Sequence, residues 1–206
     1  MDEDVLTATR RSLHAVAEQL LAGPQYHTQG TIRLRITEGG FGQLAGPWRI
    51  DGTELVGPDV RVPLTGTIAE LAQAVGVQAG PPTIYDDHAD LAADAPLTVD
   101  PAAVAEIAGW FARGDAGLRA FAQAEDPVLW PEHFDLGIAV DEVNYGISPG
   151  DGGHATPYAY VGPWTQREGP FWNVSFGSLR AATELPDADA VAAYFAAGRA
   201  AAAADG

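Results

Sequence analysis

The chain reads as an α+β protein, with a mostly antiparallel β-sheet packed against N-terminal, central and C-terminal helices in a single domain over residues 1–206. Three observations predict this. The element signals run helix, strands, helices, strands, helix, not the strand–helix alternation of a parallel sheet. Strand-like alternation recurs between turn signals. A chain of 206 residues with 47% hydrophobic content can bury one core, and no Ser/Gly-rich or charged linker divides it.

The elements follow in order. Leu13, Val16, Ala17 and Leu20 recur at helical spacing and predict a helix over Asp4–Leu21, ended by Gly23-Pro24. His14 sits beside that stripe and reads as a boundary residue. Gly30–Thr37 alternates as a strand, with Ile32, Leu34 and Ile36 inward. Gly39-Gly40-Phe41-Gly42 reads as a turn or loop. Trp48–Val56 is a hairpin around Asp51-Gly52, and Arg61–Leu64 is a short strand. Thr67-Ile68-Ala69-Glu70 is a capping box that starts a helix over Ile68–Val75. Thr83–Tyr85 is a brief strand and Asp86–Pro96 an acidic loop. Asp100 caps a helix beginning at Pro101, and Gly114 interrupts it before Leu118 and Phe121. Val191, Tyr194, Phe195 and Gly198 form the inner stripe of a closing helix over Ala188–Ala203, with residues 203–206 a frayed tail.

Composition excludes several chemistries. A formal net charge of −17 argues against nucleic acid, whose phosphates need a cationic footprint, and against anionic lipid. No run of apolar residues is long enough to span a membrane, and the acidic start Met1-Asp2-Glu3-Asp4 is unlike a signal peptide. The expected location is cytoplasmic. All eleven basic side chains are arginine, so pyridoxal phosphate on a lysine is excluded. Cysteine is absent, which excludes iron–sulfur clusters and Cys-type zinc sites. The cofactor is otherwise unassigned. The Arg-only, Ala/Gly/Pro-rich composition points to a high-GC bacterial genome.

About half of the aromatic residues fall between Pro127 and Gly177. With Glu132–Ser148 read as a hairpin turning at Asp141-Glu142, Phe134, Leu136, Ile138, Val140, Val143, Tyr145 and Ile147 share one apolar face. Ile138 then opposes Tyr145, and Leu136 opposes Ile147. The other face carries His133, Asp135, Gly137, Ala139, Asn144, Gly146 and Ser148. Its middle has no bulk, which leaves a hollow for a ligand or a packed helix. The loop Pro149–His154 follows and is flexible by composition. Tyr158 and Tyr160 share one face of a third strand, and Phe171–Gly177 is a fourth.

This segment supplies the candidate site. A small-molecule-binding domain, with the means to act as an enzyme, would use His133, Asp135, Asn144, Ser148, His154, Tyr158, Tyr160 and Trp164, because aromatic walls with a few placed polar groups make ligand sites. Its acid–base candidates are His133, Asp135 and Glu132. The reading assigns no metal. The alternative that does would take His133, Asp135 and His154 as a two-His-one-carboxylate triad. A second alternative makes the aromatics a patch for a protein partner or a homodimer. Gly146-Ile147-Ser148-Pro149-Gly150 matches a nucleophile elbow in letters, but Pro149 lacks the N–H that its oxyanion hole requires. Gly40–Gly46 lacks the helix that a dinucleotide-binding turn needs.

Leu129-Trp130-Pro131-Glu132-His133-Phe134-Asp135-Leu136, with Asn144-Tyr145-Gly146 and Pro157-Tyr158-Ala159-Tyr160, resembles an uncharacterised actinobacterial protein family of unknown function. The resemblance covers most of the chain, including Gly30–Arg35 and Val62-Pro63-Leu64. It implies a bacterial, cytoplasmic protein and brings no activity or catalytic residue with it.

Overall fold

The computed structural model describes residues 3–204. They are α+β, with antiparallel strand pairing throughout the registers described below. The chain falls into two compact units. One comprises the residues up to Gly109 with Leu129–Phe134; the other comprises Trp110–Val128 and the chain from Asp135 onward. No helix among the described residues is long and apolar enough to cross a membrane.

The first unit opens with α1 (Glu3–Val16), which does not stop at Gly23-Pro24 as the sequence predicts. It widens into a π-helical turn (Ala17–Ala22) and continues as α2 (Gly23–Gln29). The Gly23 N–H reaches back five residues to the Glu18 carbonyl. Pro24 has no N–H and would clash with a carbonyl in a normal α turn; the wider turn accommodates it. The carbonyl of Gln19 is thereby released, and the N–H of Gly80 takes it at 3.0 Å.

Five strands follow as a meander: β1 (Leu34–Thr37), β2 (Gly40–Gln43), β3 (Arg49–Asp51), β4 (Glu54–Val56) and β5 (Arg61–Pro63). The expected loop at Gly40–Gly42 is β2. Its glycines are there because β3 passes too close for side chains: a Cβ on Gly40 would lie 2.4 Å from the Ile50 carbonyl oxygen. The capping box at Thr67 and Glu70 forms as expected and starts α3 (Ile68–Val75). From Val77 to Asp100 the chain has no helix or strand beyond one isolated bridge at Pro96, so the brief strand expected at Thr83–Tyr85 is absent. Asp100 caps α4 (Pro101–Phe121) by accepting from the N–H groups of Ala102 and Ala103. β6 (Val128–Trp130) adds to β1 through Leu34 and Leu129, so this unit's strand order is β6-β1-β2-β3-β4-β5. Its core gathers Leu13, Leu20, Leu34, Phe41, Ile50, Leu55, Ile68 and Ile107, all buried.

In the second unit α4 runs on without a break at Gly114. That glycine lets the helix lie against Ile147, whose Cδ1 would be 2.4 Å from a Cβ there. The hairpin β7 (Asp135–Val140) and β8 (Val143–Ser148) has the expected register, with Leu136 opposite Ile147 and Ile138 opposite Tyr145. β9 (Tyr158–Pro163) pairs with β8, and β10 (Ser178–Ala181) with β9. The fourth strand is therefore not Phe171–Gly177. There the chain folds back on itself through paired Val174 and Gly177 backbone bonds. The Asn173 amide then bonds both the N–H and the carbonyl of Leu179, covering part of the outer edge of β10. α5 (Ala188–Ala204) closes the unit, burying Val191, Tyr194, Phe195 and Gly198 as predicted. Its Phe195 meets Tyr145 and Phe121 in an aromatic cluster with centroids 4.7–5.9 Å apart.

Candidate functional site

The polar strand face expected to hold a ligand is present in the second unit, but its hollow is occupied. Tyr160 on β9 is the neighbour of Gly146, which is the neighbour of Gly137. The Tyr160 ring lies over both glycines: its Oη would be 2.4 Å from a Cβ on Gly146 and 3.2 Å from one on Gly137. Its hydroxyl donates to Asp135 Oδ2 across β8. Neither a ligand nor a helix explains those glycines; Tyr160, one strand from Gly146 and two from Gly137, does. Burial, with the Asp135 charge behind it, pushes the Tyr160 phenol well above its usual range, so it stays a donor.

The remaining predicted residues of this unit have partners of their own. Tyr158 donates to Asp151 Oδ2. Asp151 Oδ1 accepts from the backbone N–H groups of Gly153 and His154 at 2.6 and 2.7 Å. Burial would raise the Asp151 carboxyl, but these bonds outweigh it and hold the group below its ordinary value. They also fix the Pro149–His154 loop, which is a braced turn where composition suggested flexibility. Ser148 is buried, with its Oγ shared between the N–H and carbonyl of Gly150. His154 is exposed, with its ring 5.4 Å from Tyr158. Asn144 accepts from Trp164 Nε1 at 3.1 Å, and Trp164 is 64% exposed.

His133 and Asp135 are not same-face neighbours on one strand. β7 begins at Asp135, and Phe134 before it has φ +51°, which breaks the alternation. Phe134 is buried against His14 and Phe41 instead. His133 stands in a turn, mostly exposed, with Nε2 3.1 Å from Glu132 Oε1. Among the described residues no group of three or more His, Asp or Glu side chains is placed to hold a metal ion, so His133, Asp135 and His154 do not form a triad.

The first unit holds a constellation that no motif in the sequence marks. Ala15 through Gly23 are all buried, because the irregular Val77–Asp100 segment covers the polar side of the helix. Gln19 Nε2 donates to the Leu91 carbonyl at 2.9 Å, and the hydroxyls of Thr9 and Ser12 accept from Asp100 and Thr98 N–H. Glu18, at the start of the π turn, is fully buried. Its Oε1 lies 2.7 Å from His88 Nδ1, and its Oε2 accepts from Ala89 N–H at 2.9 Å. The His88 side chain is 36% exposed. Tyr85 packs against it with ring centroids 5.2 Å apart. Burial, then the charge and acceptor oxygens of Glu18, push the Tyr85 phenol upward; Glu132 adds to the shift.

One turn before Glu18, His14 bonds the Pro131 carbonyl through Nε2 at 2.7 Å and stacks on Phe134 at 5.5 Å. Burial lowers its pKa and outweighs the opposing Pro131 bond, so the ring is neutral and Nε2 carries the donated proton. His14 is thus the part-buried boundary residue that the sequence predicts, and it anchors the 131–134 turn. A signal for Glu18 was present in the sequence: a carboxylate set among Ala17, Leu20 and Leu21. Its burial followed from the π turn, which depends on the helix passing through Pro24. His88 falls inside Asp86–Pro96, which the sequence predicts only as an acidic loop.

A buried carboxylate bonded to one imidazole nitrogen fixes the tautomer and leaves the other nitrogen as a lone-pair acceptor. That arrangement suits proton transfer. No family model matches the chain, and comparison with curated proteins and with solved structures gives no significant match.

Proposed function

We propose that this chain is a small-molecule-binding protein equipped as an enzyme, with His88 as its proton-transfer base and Glu18 as the group that orients it. The observation that carries the reading is the fully buried Glu18 carboxylate, 2.7 Å from Nδ1 of a histidine that remains partly exposed. With Nδ1–H given to Glu18, the Nε2 lone pair is the one available to a substrate.

Anchoring the loop does not by itself call for a carboxylate. Gln19 holds Leu91, and Gln25 holds Thr31 and Arg33, with neutral amides. A buried ion costs several kcal/mol in desolvation, so a negative charge at this position has a use beyond holding Ala89. Two further features support the reading. π turns are frequent at functional sites, and irregular segments as long as Val77–Asp100 inside compact folds are usually functional.

Iodoacetamide tests it cleanly, since the chain has neither cysteine nor lysine to compete for the reagent. Peptide mapping is expected to show His88 alkylated several-fold faster than the exposed His27, with the advantage lost in Glu18→Gln. Equal or slower reaction of His88 in the unmodified protein contradicts the proposal.

A second reading, self-association through the aromatic surface of the second unit, is favoured by the exposure of Trp164 (64%) and Phe176 (45%). A concentration-independent monomer mass in light scattering argues against it.

A further inference from the structure

We propose that His133, paired with Glu132, is the second proton-transfer group of the site centred on His88, so that the site pairs one imidazole base with one imidazole acid. This rests on the reading of His88 given above and extends it.

α1 and the π turn hold two separate pieces of chain on neighbouring turns. His14 holds the 131–134 turn, through the Pro131 carbonyl at 2.7 Å and the ring of Phe134 at 5.5 Å. Glu18, four residues on, holds His88 and Ala89. Four residues of helix separate those anchors by roughly 6 Å along the axis. The 131–134 turn carries Glu132 and His133, and the other segment carries Tyr85 and His88. Tyr85 stands at the meeting point: its ring is 5.2 Å from His88, and its hydroxyl lies within the field of both Glu18 and Glu132. The field of His133 likewise reaches His14.

Each of the two histidines has one nitrogen beside a carboxylate: Nδ1 of His88 at 2.7 Å and Nε2 of His133 at 3.1 Å. The nitrogens left for a substrate are Nε2 of His88 and Nδ1 of His133. In one turnover His88 Nε2 takes the proton of an attacking X–H group or an acidic C–H, and that bond breaks. The imidazolium of His133 gives its Nδ1 proton to the atom that leaves or is reprotonated, and a new bond to hydrogen forms there. No proton is gained or lost overall, and no oxidant or reductant is needed. Hydrolysis and isomerisation both fit this balance. Two pairs also divide the work by burial: the one with buried Glu18 is fixed, whereas the His133 side chain is 61% exposed and free to exchange its proton with water.

The test is mutual exclusion. Histidines facing one small site cannot both accept an alkyl group, because the first blocks the second. Limited treatment with iodoacetamide, followed by intact mass and peptide mapping, is expected to give chains modified at His88 or at His133. Chains carrying both groups are expected well below the product of the two single frequencies. A double-modified fraction equal to that product places the histidines in separate environments and overturns this inference, while the reading of His88 stands. If His88 itself reacts no faster than His27, that reading fails and this inference fails with it. NMR gives a second readout that does not depend on alkylation. Replacing His88→Gln changes one wall of the shared site and is expected to shift the His133 ring carbon and proton resonances while those of the exposed His27 stay in place; unchanged His133 resonances contradict the proposal.

Discussion

Gly23→Ala is expected to destabilise the protein severely, although alanine is the better helix former. The reason is the approach of the Val77–Asp100 segment to the π turn. A Cβ on Gly23 would sit 1.7 Å from the Gly80 carbonyl oxygen, 2.9 Å from the Gly80 carbonyl carbon and 3.2 Å from that of Pro81. All three are backbone atoms, so no side chain can swing aside. The segment has to withdraw by about 2 Å to restore an ordinary contact of roughly 3.5 Å. That movement stretches the Gly80 N–H bond to the Gln19 carbonyl, which is 3.0 Å long. Overpacking costs about 1–3 kcal/mol and an unmade buried hydrogen bond about 1–3 kcal/mol, so the sum is about 2–6 kcal/mol. Gly109→Ala is the matched control. Gly109 is an exposed residue of α4, and a Cβ there would meet nothing within 4 Å, so the same substitution is expected to stabilise by about 0.5–1 kcal/mol. Urea denaturation of both variants at neutral pH measures the contrast. If Gly23→Ala falls within about 0.5 kcal/mol of the parent, the tight seat of the segment on the helix is wrong. The placement of His88 then loses its support.

Glu142→Gly is expected to stabilise by about 1 kcal/mol, because Glu142 holds φ +61° at the β7–β8 turn, where an L side chain is strained; chemical denaturation reads the change. Acid should weaken the fold in two steps. Burial keeps the folded pKa of His14 below its ordinary value of 6.5, so below about that pH the unfolded chain binds a proton that the folded chain does not, and stability falls as pH drops. The hydrogen-bonded Asp151 contributes stability above about 3.8 that is lost as pH falls toward its lower folded pKa. Thermal melts from pH 7 to pH 3 follow both steps, and His14→Gln should flatten the first.

Much of the second unit is legible in the sequence because period-two alternation sets strand register. The β7–β8 pairing could be written down from Leu136, Ile138, Tyr145 and Ile147 alone. The hollow at Gly137 and Gly146 was also legible, but its occupant was not. A side chain reaching across an intervening strand, as Tyr160 does to Asp135, leaves no mark in the periodicity of either strand. At Phe134 a single left-handed residue ends the alternation that would have set His133 and Asp135 side by side. In the first unit the obstacle was Gly23-Pro24, which locally signals a helix end. Only the π turn, packed under the Val77–Asp100 segment, carries the helix through and buries Glu18. A loop with no repeating pattern offers nothing from which to infer that His88 lies against that carboxylate.

The central claim is that Glu18 sets the tautomer of His88, and nitrogen-15 NMR of the histidine side chains tests it most directly. In the unmodified protein near neutral pH, His88 is expected to carry its proton on Nδ1, with Nε2 as the unprotonated nitrogen. In Glu18→Gln the amide can donate to Nδ1, so the proton should move to Nε2. A His88 protonated on Nε2 in the parent protein, or an identical tautomer in both proteins, contradicts the account.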